Sequence, residues 1–242
     1  GKSVSYCEVD SDGGHDGFLL PREIETFGPL LAARVGLGAP PAVGVRTEDD
    51  RILEILPPGA SVLDLGCGDG HLLARLHERG HDRLCGVEIE TDRIVKTARH
   101  GVEVIDCDLN LGLPEFDDGQ FDYVVISSTL QVVPNVRTLL EDSLRVGRRV
   151  LLVFANFAYA PMRRMLAEEG LSPKTPGSYG HDWYDTPNNR FPSILDVRNL
   201  CDEMGLSVEQ EQYYAEGEAL SEPAANDPNR NAETALFVLG RG

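Results

Sequence analysis

From residue 47 onward the apolar positions form short, nearly unbroken runs separated by amphipathic stretches. Ser61 to Leu65, Arg83 to Ile89, Val102 to Cys107, Phe121 to Ser127 and Arg149 to Phe154 are strand-length runs. Between them, His71 to Arg79, Asp92 to Arg99 and Val136 to Leu144 repeat apolar residues at helical spacing, as Leu72, Leu73 and Leu76 do. A short helix is predicted over Asp49 to Leu56, stopped by Pro57-Pro58-Gly59. Apolar strands alternating with helices predict a mostly parallel sheet covered on both faces. A helix over Ser193 to Met204, a strand over Ser207 to Tyr214 and a last strand over Thr234 to Leu239 complete the pattern, with Glu216 to Asn231 between the strands as a long loop. Two final strands joined without a helix should pair antiparallel.

Two segments break the rhythm. Residues 1–46 are rich in Gly, Pro and Asp, and within them Pro21 to Val35 carries Ile24, Phe27, Leu30, Leu31 and Val35 on one helical face. They read as an N-terminal extension with one helix, distinct from a main domain over 47–242. Residues 155–192, rich in aromatics, Pro, Gly and Asn, read as an irregular insert that should cover the carboxyl edge of the sheet.

Composition narrows the ligand classes. The chain has 242 residues, 41% of them hydrophobic, enough for a sizeable core, and a formal net charge of −18. Such acidity disfavours nucleic acid and anionic membrane surfaces as partners. The five cysteines, Cys7, Cys67, Cys85, Cys107 and Cys201, show no CxxC pair, so no metal site is expected. They read as free thiols of a reducing compartment, and with no signal peptide or apolar run of spanning length the expected location is cytoplasmic.

The most informative stretch is Asp64-Leu65-Gly66-Cys67-Gly68-Asp69-Gly70, where the first strand turns into its helix. Its glycines allow a tight turn and a close approach of backbone to ligand. The spacing is GxGxG, one residue short of the GxGxxG of a dinucleotide loop, which disfavours a nicotinamide-dependent oxidoreductase. Asp64 and Asp69 add negative charge that suits an ammonium or sulfonium group better than two phosphates. Glu88, with Ile89 after it, closes the second strand, where a carboxylate can accept both hydrogens of a ribose diol. Asp108, between Cys107 and Leu109 at the end of the third strand, can accept from an adenine amino group while its neighbours sandwich the ring. It can equally be a turn or helix cap. Ser127, Ser128 and Thr129 follow the fourth strand and read either as a helix start or as the edge where a transferred group meets its acceptor.

Together these residues resemble the class I methyltransferases over about residues 51–214. The resemblance implies a Rossmann-like class I methyltransferase fold, a mostly parallel seven-stranded sheet of order 3-2-1-4-5-7-6 with helices on both faces. It also implies S-adenosyl-L-methionine, or S-adenosyl-L-homocysteine, as ligand. The stretch from Asp64 to Gly70, with Gly66, Cys67 and Gly68, would hold its methionine part, Glu88 the ribose and Asp108 the adenine, and Ile89, Cys107, Leu109 and Ser127 are expected among the cofactor-binding residues.

A narrower resemblance lies in Phe121-Asp122-Tyr123-Val124-Val125, Ser128-Thr129-Leu130-Gln131, Leu144-Arg145-Val146-Gly147-Arg148-Arg149, Phe154-Ala155-Asn156-Phe157 and Trp183-Tyr184-Asp185-Thr186-Pro187-Asn188. This series is similar to the MetW methionine-biosynthesis family. That implies a link to methionine synthesis and association with homoserine O-acyltransferase. The protein would either transfer a methyl group to an unidentified small-molecule acceptor or bind the cofactor as a non-catalytic regulatory partner, with an exposed apolar patch for the acyltransferase. No catalytic residue is singled out. Asn156, His181, Trp183, Tyr184, Asp185 and Asn188 are candidates in the insert, with Trp183 and Tyr184 expected to anchor it by packing and Asp185 to sit in a plain turn.

Overall fold

The computed structural model describes residues 47–174, 179–222 and 224–242; the predicted helix over Pro21 to Val35 lies outside them. The elements run α1 (Glu48–Ile55), β1 (Val62–Leu65), α2 (His71–Glu78), β2 (Leu84–Glu88), α3 (Thr91–Arg99), β3 (Glu103–Asp106), β4 (Phe121–Ser127), α4 (Val136–Val146), β5 (Gly147–Ala155), α5 (Ala160–Arg164), α6 (Ile194–Met204), β6 (Leu206–Ala215), β7 (Glu218–Ala219), α7 (Pro228–Asn231) and β8 (Thr234–Arg241). One sheet holds all the strands in the order β3-β2-β1-β4-β5-β8-β6-β7. β1 to β5 pair parallel, and β8 runs antiparallel to both β5 and β6. The expected order therefore holds, with an eighth strand added. β7 is a two-residue strand that folds back on the end of β6, pairing Tyr214 with Ala219 and Ala215 with Glu218, too short to leave a periodic signal in sequence.

Alternation along the strands divides the core into two layers. Leu63 and Leu65 of β1, Ile126 of β4 and Leu152 and Phe154 of β5 pack with Leu139, Leu140 and Leu144 of α4 and Ile194, Val197 and Cys201 of α6. Val62, Val125, Leu151 and Val153 point the other way, onto Ile52 and Leu53 of α1 and Leu72, Leu73 and Leu76 of α2. Each such side chain, fully removed from water, contributes about 2 kcal/mol. β3 forms the far edge of the sheet and carries exposed acids, Glu103 and Asp106, at both ends. Charged ends of this kind discourage further strand pairing. Thr47 and Asp50 close a capping box on α1, and Ser193 and Asp196 do the same on α6. Among the described residues the four cysteines are unpaired, and no helix is long and apolar enough to cross a membrane.

Two regions hold more regular structure than their patterns show. The 155–192 insert contains α5, continued by one wide π turn over Met165–Glu169. The predicted loop over 216–231 contains β7, a 3-10 turn at Ala224–Asn226 and α7. All are pieces of five residues or fewer, below the window in which periodicity is readable.

Asn156 ties these segments to the sheet. Its side chain is fully buried. Its Nδ2 donates to the carbonyls of Asn229 (3.1 Å) and Ala232 (2.7 Å), and its Oδ1 accepts from the N–H groups of Ala158 (3.1 Å) and Ile194 (3.3 Å). With every amide site consumed by backbone, Asn156 is a structural clamp rather than a catalytic candidate. Asn156→Ala, which leaves four backbone groups without their partner, those of Ala232 and Ile194 buried, is expected to cost about 3 kcal/mol and lower the melting temperature by roughly 10 °C. A thermal melt within a degree or two of the parent would remove the clamp assignment.

Candidate functional site

The glycine loop is a closed structure. Gly66 and Cys67 both donate their N–H groups to the Val87 carbonyl (2.8 and 3.0 Å), Gly68 donates to Glu88 Oε2 (2.9 Å) and Gly70 to the Cys67 carbonyl (3.0 Å). These backbone donors, which a phosphate-binding loop would aim at its ligand, are spent inside the protein. Gly66 has φ +74°, and a Cβ there would come within 2.5 Å of Thr129 Oγ1, which donates to the Leu65 carbonyl at 2.9 Å. Gly70, at φ +80°, presses on Thr97 in the same way. The glycines are thus required by the close passage of the loop under β4 and over α3.

Beside the loop, at the carboxyl edge of the sheet, lies a cavity of about 430 Å³, within the usual range for small-molecule sites. Gly66, Glu88, Ile89, Cys107, Asp108, Leu109 and Ser127 line it, so seven of the eleven residues expected from sequence converge on one space. The other four lie behind or beneath it. Asp64 is buried in β1, and Gly68 and Gly70 shape the turn. The Cys67 side chain tucks against Gly86 and Thr97, where burial pushes its thiol up to about 12. Asp69 is not part of the cavity wall either: its carboxylate turns outward to Lys96 Nζ (2.9 Å), which lowers its pKa.

Several polar groups in the wall already have partners. Glu88 Oε1 accepts from the N–H groups of Ile89 (2.8 Å) and Glu90 (3.0 Å), while Oε2 holds Gly68. Three of its roughly four acceptor directions are filled, so a ribose diol would meet one free direction and must displace a backbone donor to gain both. Asp108 serves as a cap through Oδ1, which accepts from the backbone N–H (2.9 Å) and Nδ2 (2.8 Å) of Asn110. Its Oδ2 has no partner among the described residues, so the cap uses only one of the two carboxylate oxygens. Ile89 is 58% exposed and offers an apolar surface at the rim.

The Ser127-Ser128-Thr129 segment does not start a helix. It leads through a turn to Asn135, whose Oδ1 caps α4. Ser127 and Ser128 both donate to Glu48 Oε2 (2.9 and 3.0 Å), which brings the first turn of α1 to the cavity. Glu48 was not singled out from the sequence, where it is one acid among three in a capping turn. Pro187, which the sequence offered only as part of a family-like motif, also lines the cavity, as do Val132 and Val133, which had no sequence signal of their own. In the insert, His181 is on the surface, and Asp185 sits in the expected turn, its N–H donating to the Asp182 carbonyl (3.2 Å). Trp183 and Tyr184 do not anchor the insert. They project from that turn, 75% and 70% exposed, packed edge to face on one another.

Asp64 dominates the electrostatics. It is 4% exposed, and no hydrogen bond reaches its carboxylate among the described residues. Burial, then repulsion from Asp49 and Glu88, pushes its pKa up to about 7. The native state therefore holds a proton that the unfolded chain releases near pH 4. Stability contributed by the protonated form is full below that point and is lost as pH rises towards 7. Asp64→Asn is expected to raise the melting temperature of the ligand-free protein by about 5 °C at pH 8 and by less at pH 5.5. Equal shifts at the two pH values would refute the assigned proton.

A family model described as methionine biosynthesis protein MetW matches residues 46–239, beyond both ends of the resembling region. A bifunctional methionine biosynthesis protein MetXA/MetW from Rhodopirellula baltica is 42% identical over 253 residues, covering 99% of this chain but 41% of its own length. A ribosomal protein L11 methyltransferase from Burkholderia mallei is 33% identical over 100 residues, covering 41% of this chain and 33% of its own. The chain thus spans well under half of each of these relatives. Among solved structures, an S-adenosylmethionine dependent methyltransferase from Mesorhizobium loti superposes with TM-score 0.59 at 18% identity, covering 81% of this chain and 98% of its own. A TehB-like SAM-dependent methyltransferase from Corynebacterium glutamicum gives TM-score 0.54 at 17% identity, covering 92% and 100%. The fold is that of the class I methyltransferases, and the chain belongs to the MetW family.

Proposed function

We propose that this chain is a methyltransferase-like protein of methionine biosynthesis that binds S-adenosylmethionine in the cavity at the carboxyl edge of its sheet. The carrying observation is the pairing of a donor-poor glycine loop with an unpartnered buried carboxylate. A loop whose N–H groups are consumed has little to offer a pyrophosphate, whereas Asp64 and the nearby acids favour a cationic ligand. Glu88 would take the ribose and Asp108 Oδ2 the adenine amino group, with Ile89 and Leu109 against the ring. Bound, the sulfonium would supply an activated methyl group. The protein's part would be to hold it at the Ser127–Thr129 edge and exclude water while an acceptor attacks in line.

A second reading, cofactor binding without turnover in the service of a homoserine O-acyltransferase, draws support from two observations. One relative is a single chain described as both MetXA and MetW. Its similarity extends over residues 1–45, outside the family model, which makes the N-terminal extension a candidate for the region that joins the two activities. The other is the apolar surface of the insert: of ten exposed large hydrophobic residues among the described residues, Leu166, Leu171, Trp183, Tyr184 and Phe191 lie within 155–192. An exposed apolar patch marks an association surface, and the concentration of these residues in one segment of the chain is what supports this reading.

Calorimetric titration with S-adenosylmethionine and S-adenosylhomocysteine tests the first reading. A Kd on the order of 10 μM or tighter is expected, weakened about tenfold or more by Asp108→Ala. Affinity for the sulfonium ligand should rise as pH increases through about 7, as Asp64 ionises, and Asp64→Asn should abolish that rise. Absence of binding to either ligand would overturn the cofactor assignment. Product analysis with bound S-adenosylmethionine and cell extract then separates turnover from sensing.

A further inference from the structure

Two features of the turn between β4 and α4 are energetically unfavourable as they stand. Gln131 is fully buried, and neither its Nε2 nor its Oε1 has a hydrogen-bond partner among the described residues. Unpaired buried amides are costly and uncommon, and one that persists calls for a ligand, a water or a second conformation. Ser128, three residues earlier, has φ +54°, in the left-handed region that a non-glycine residue seldom occupies.

The same turn separates the cavity from the insert and touches both. Ser127, Ser128, Thr129, Val132 and Val133 line the cavity. On the insert side, the Gln131 carbonyl accepts the N–H groups of Asn189 (2.9 Å) and Arg190 (3.0 Å). Asn189 Nδ2 donates to the Val132 carbonyl (2.9 Å) and Arg190 Nη2 to the Pro134 carbonyl (2.6 Å). Pro187, two residues before Asn189, enters the cavity wall itself, while Trp183 and Tyr184 do not line it. Four hydrogen bonds thus lash the insert to a turn that carries a left-handed serine and an unpaired buried amide.

We propose that the 128–134 turn is a relay. Filling the cavity rearranges it, Gln131 gains hydrogen-bond partners, and the insert moves with it, repositioning the exposed Trp183–Tyr184 pair. This rests on the reading of the cavity as the S-adenosylmethionine site and gives that site a regulatory output. The ligand-free protein carries the cost of an unpaired amide and a left-handed serine. Binding relieves it, so occupancy and insert position are energetically linked.

Trp183 is the sole tryptophan of the chain and reports directly on the insert. S-adenosylhomocysteine is titrated into the full chain while heat and Trp183 fluorescence are followed together. Calorimetric binding is expected to coincide with a blue shift or intensity change of Trp183. Gln131→Leu is expected to raise the ligand-free melting temperature and to lose most of the fluorescence response. Asn189→Ala, an exposed change that cuts a single tie, should fold normally, keep binding and show a reduced response. Binding with Trp183 unchanged overturns the relay and leaves the cofactor site standing, whereas no heat of binding overturns the site and the relay with it. A Gln131→Leu protein that melts lower and keeps the full response would show the amide to be structural and likewise overturn the relay.

Discussion

The Glu88 carboxylate, at the end of β2, fastens the glycine loop to the sheet by accepting the Gly68 N–H, while the Val87 carbonyl beside it takes Gly66 and Cys67. Much of the site's character follows from these bonds. They draw the loop down onto the strand ends, which leaves no room for a Cβ at Gly66 against Thr129. They spend the donors that would otherwise favour an anion, and they bring Glu88 close enough to Asp64 to help raise its pKa. A carboxylate is suited to this because it accepts from several N–H groups at once with charge assistance. The chemistry of the cavity is thus selected by what the loop no longer offers as much as by what lines it.

The sheet and its order were legible because β1, β2, β4 and β5 are largely buried on both faces, and such runs stand out against amphipathic helices, while the edge strand β3 keeps two apolar residues between its exposed acids. Phe121–Ser127 is found at its predicted limits, and most other elements fall within two residues of theirs. Residues that reach the cavity from a strand end were also legible: Glu88, Asp108 and Ser127 each follow directly from where an apolar run stops. Contributions from outside that logic were not. Glu48 arrives from a helix 79 positions away in sequence from its partner Ser127, and Pro187 from an irregular insert; neither has a periodicity that would declare its direction. Trp183 and Tyr184 were misread for a related reason. Aromatic residues in a loop usually earn their place by burial, and sequence alone does not show that these two are left outside.

The cavity wall has two parts that are held in different ways. One side is the strand ends of a sheet with a fully buried core, whose positions a ligand will hardly change. The other is the 128–134 turn with the insert behind it, attached by a handful of hydrogen bonds to main-chain carbonyls. Binding energy realised on the rigid side goes into affinity, while on the adaptable side part of it goes into rearrangement. A catalyst uses such a division to close over its substrates, and a sensor uses it to inform a partner. The family's link to methionine biosynthesis suits either use.

What separates the two uses is where the movement ends. A closing lid should bring its aromatic groups inward, over the reacting atoms, where Trp183 and Tyr184 would lose exposure to the cavity. A signalling surface should keep them outward and change their angle or spacing. They pack edge to face on each other and stay largely exposed, with the Lys174–Asp182 pair (2.7 Å) and the Asp182–Asp185 turn at their base. A pair braced in this way moves as a unit with the segment that carries it. The short path from Trp183 through Pro187 to Asn189 then makes the insert better built to present a surface than to bury one, which favours the partner-directed reading of the aromatic face over that of a lid.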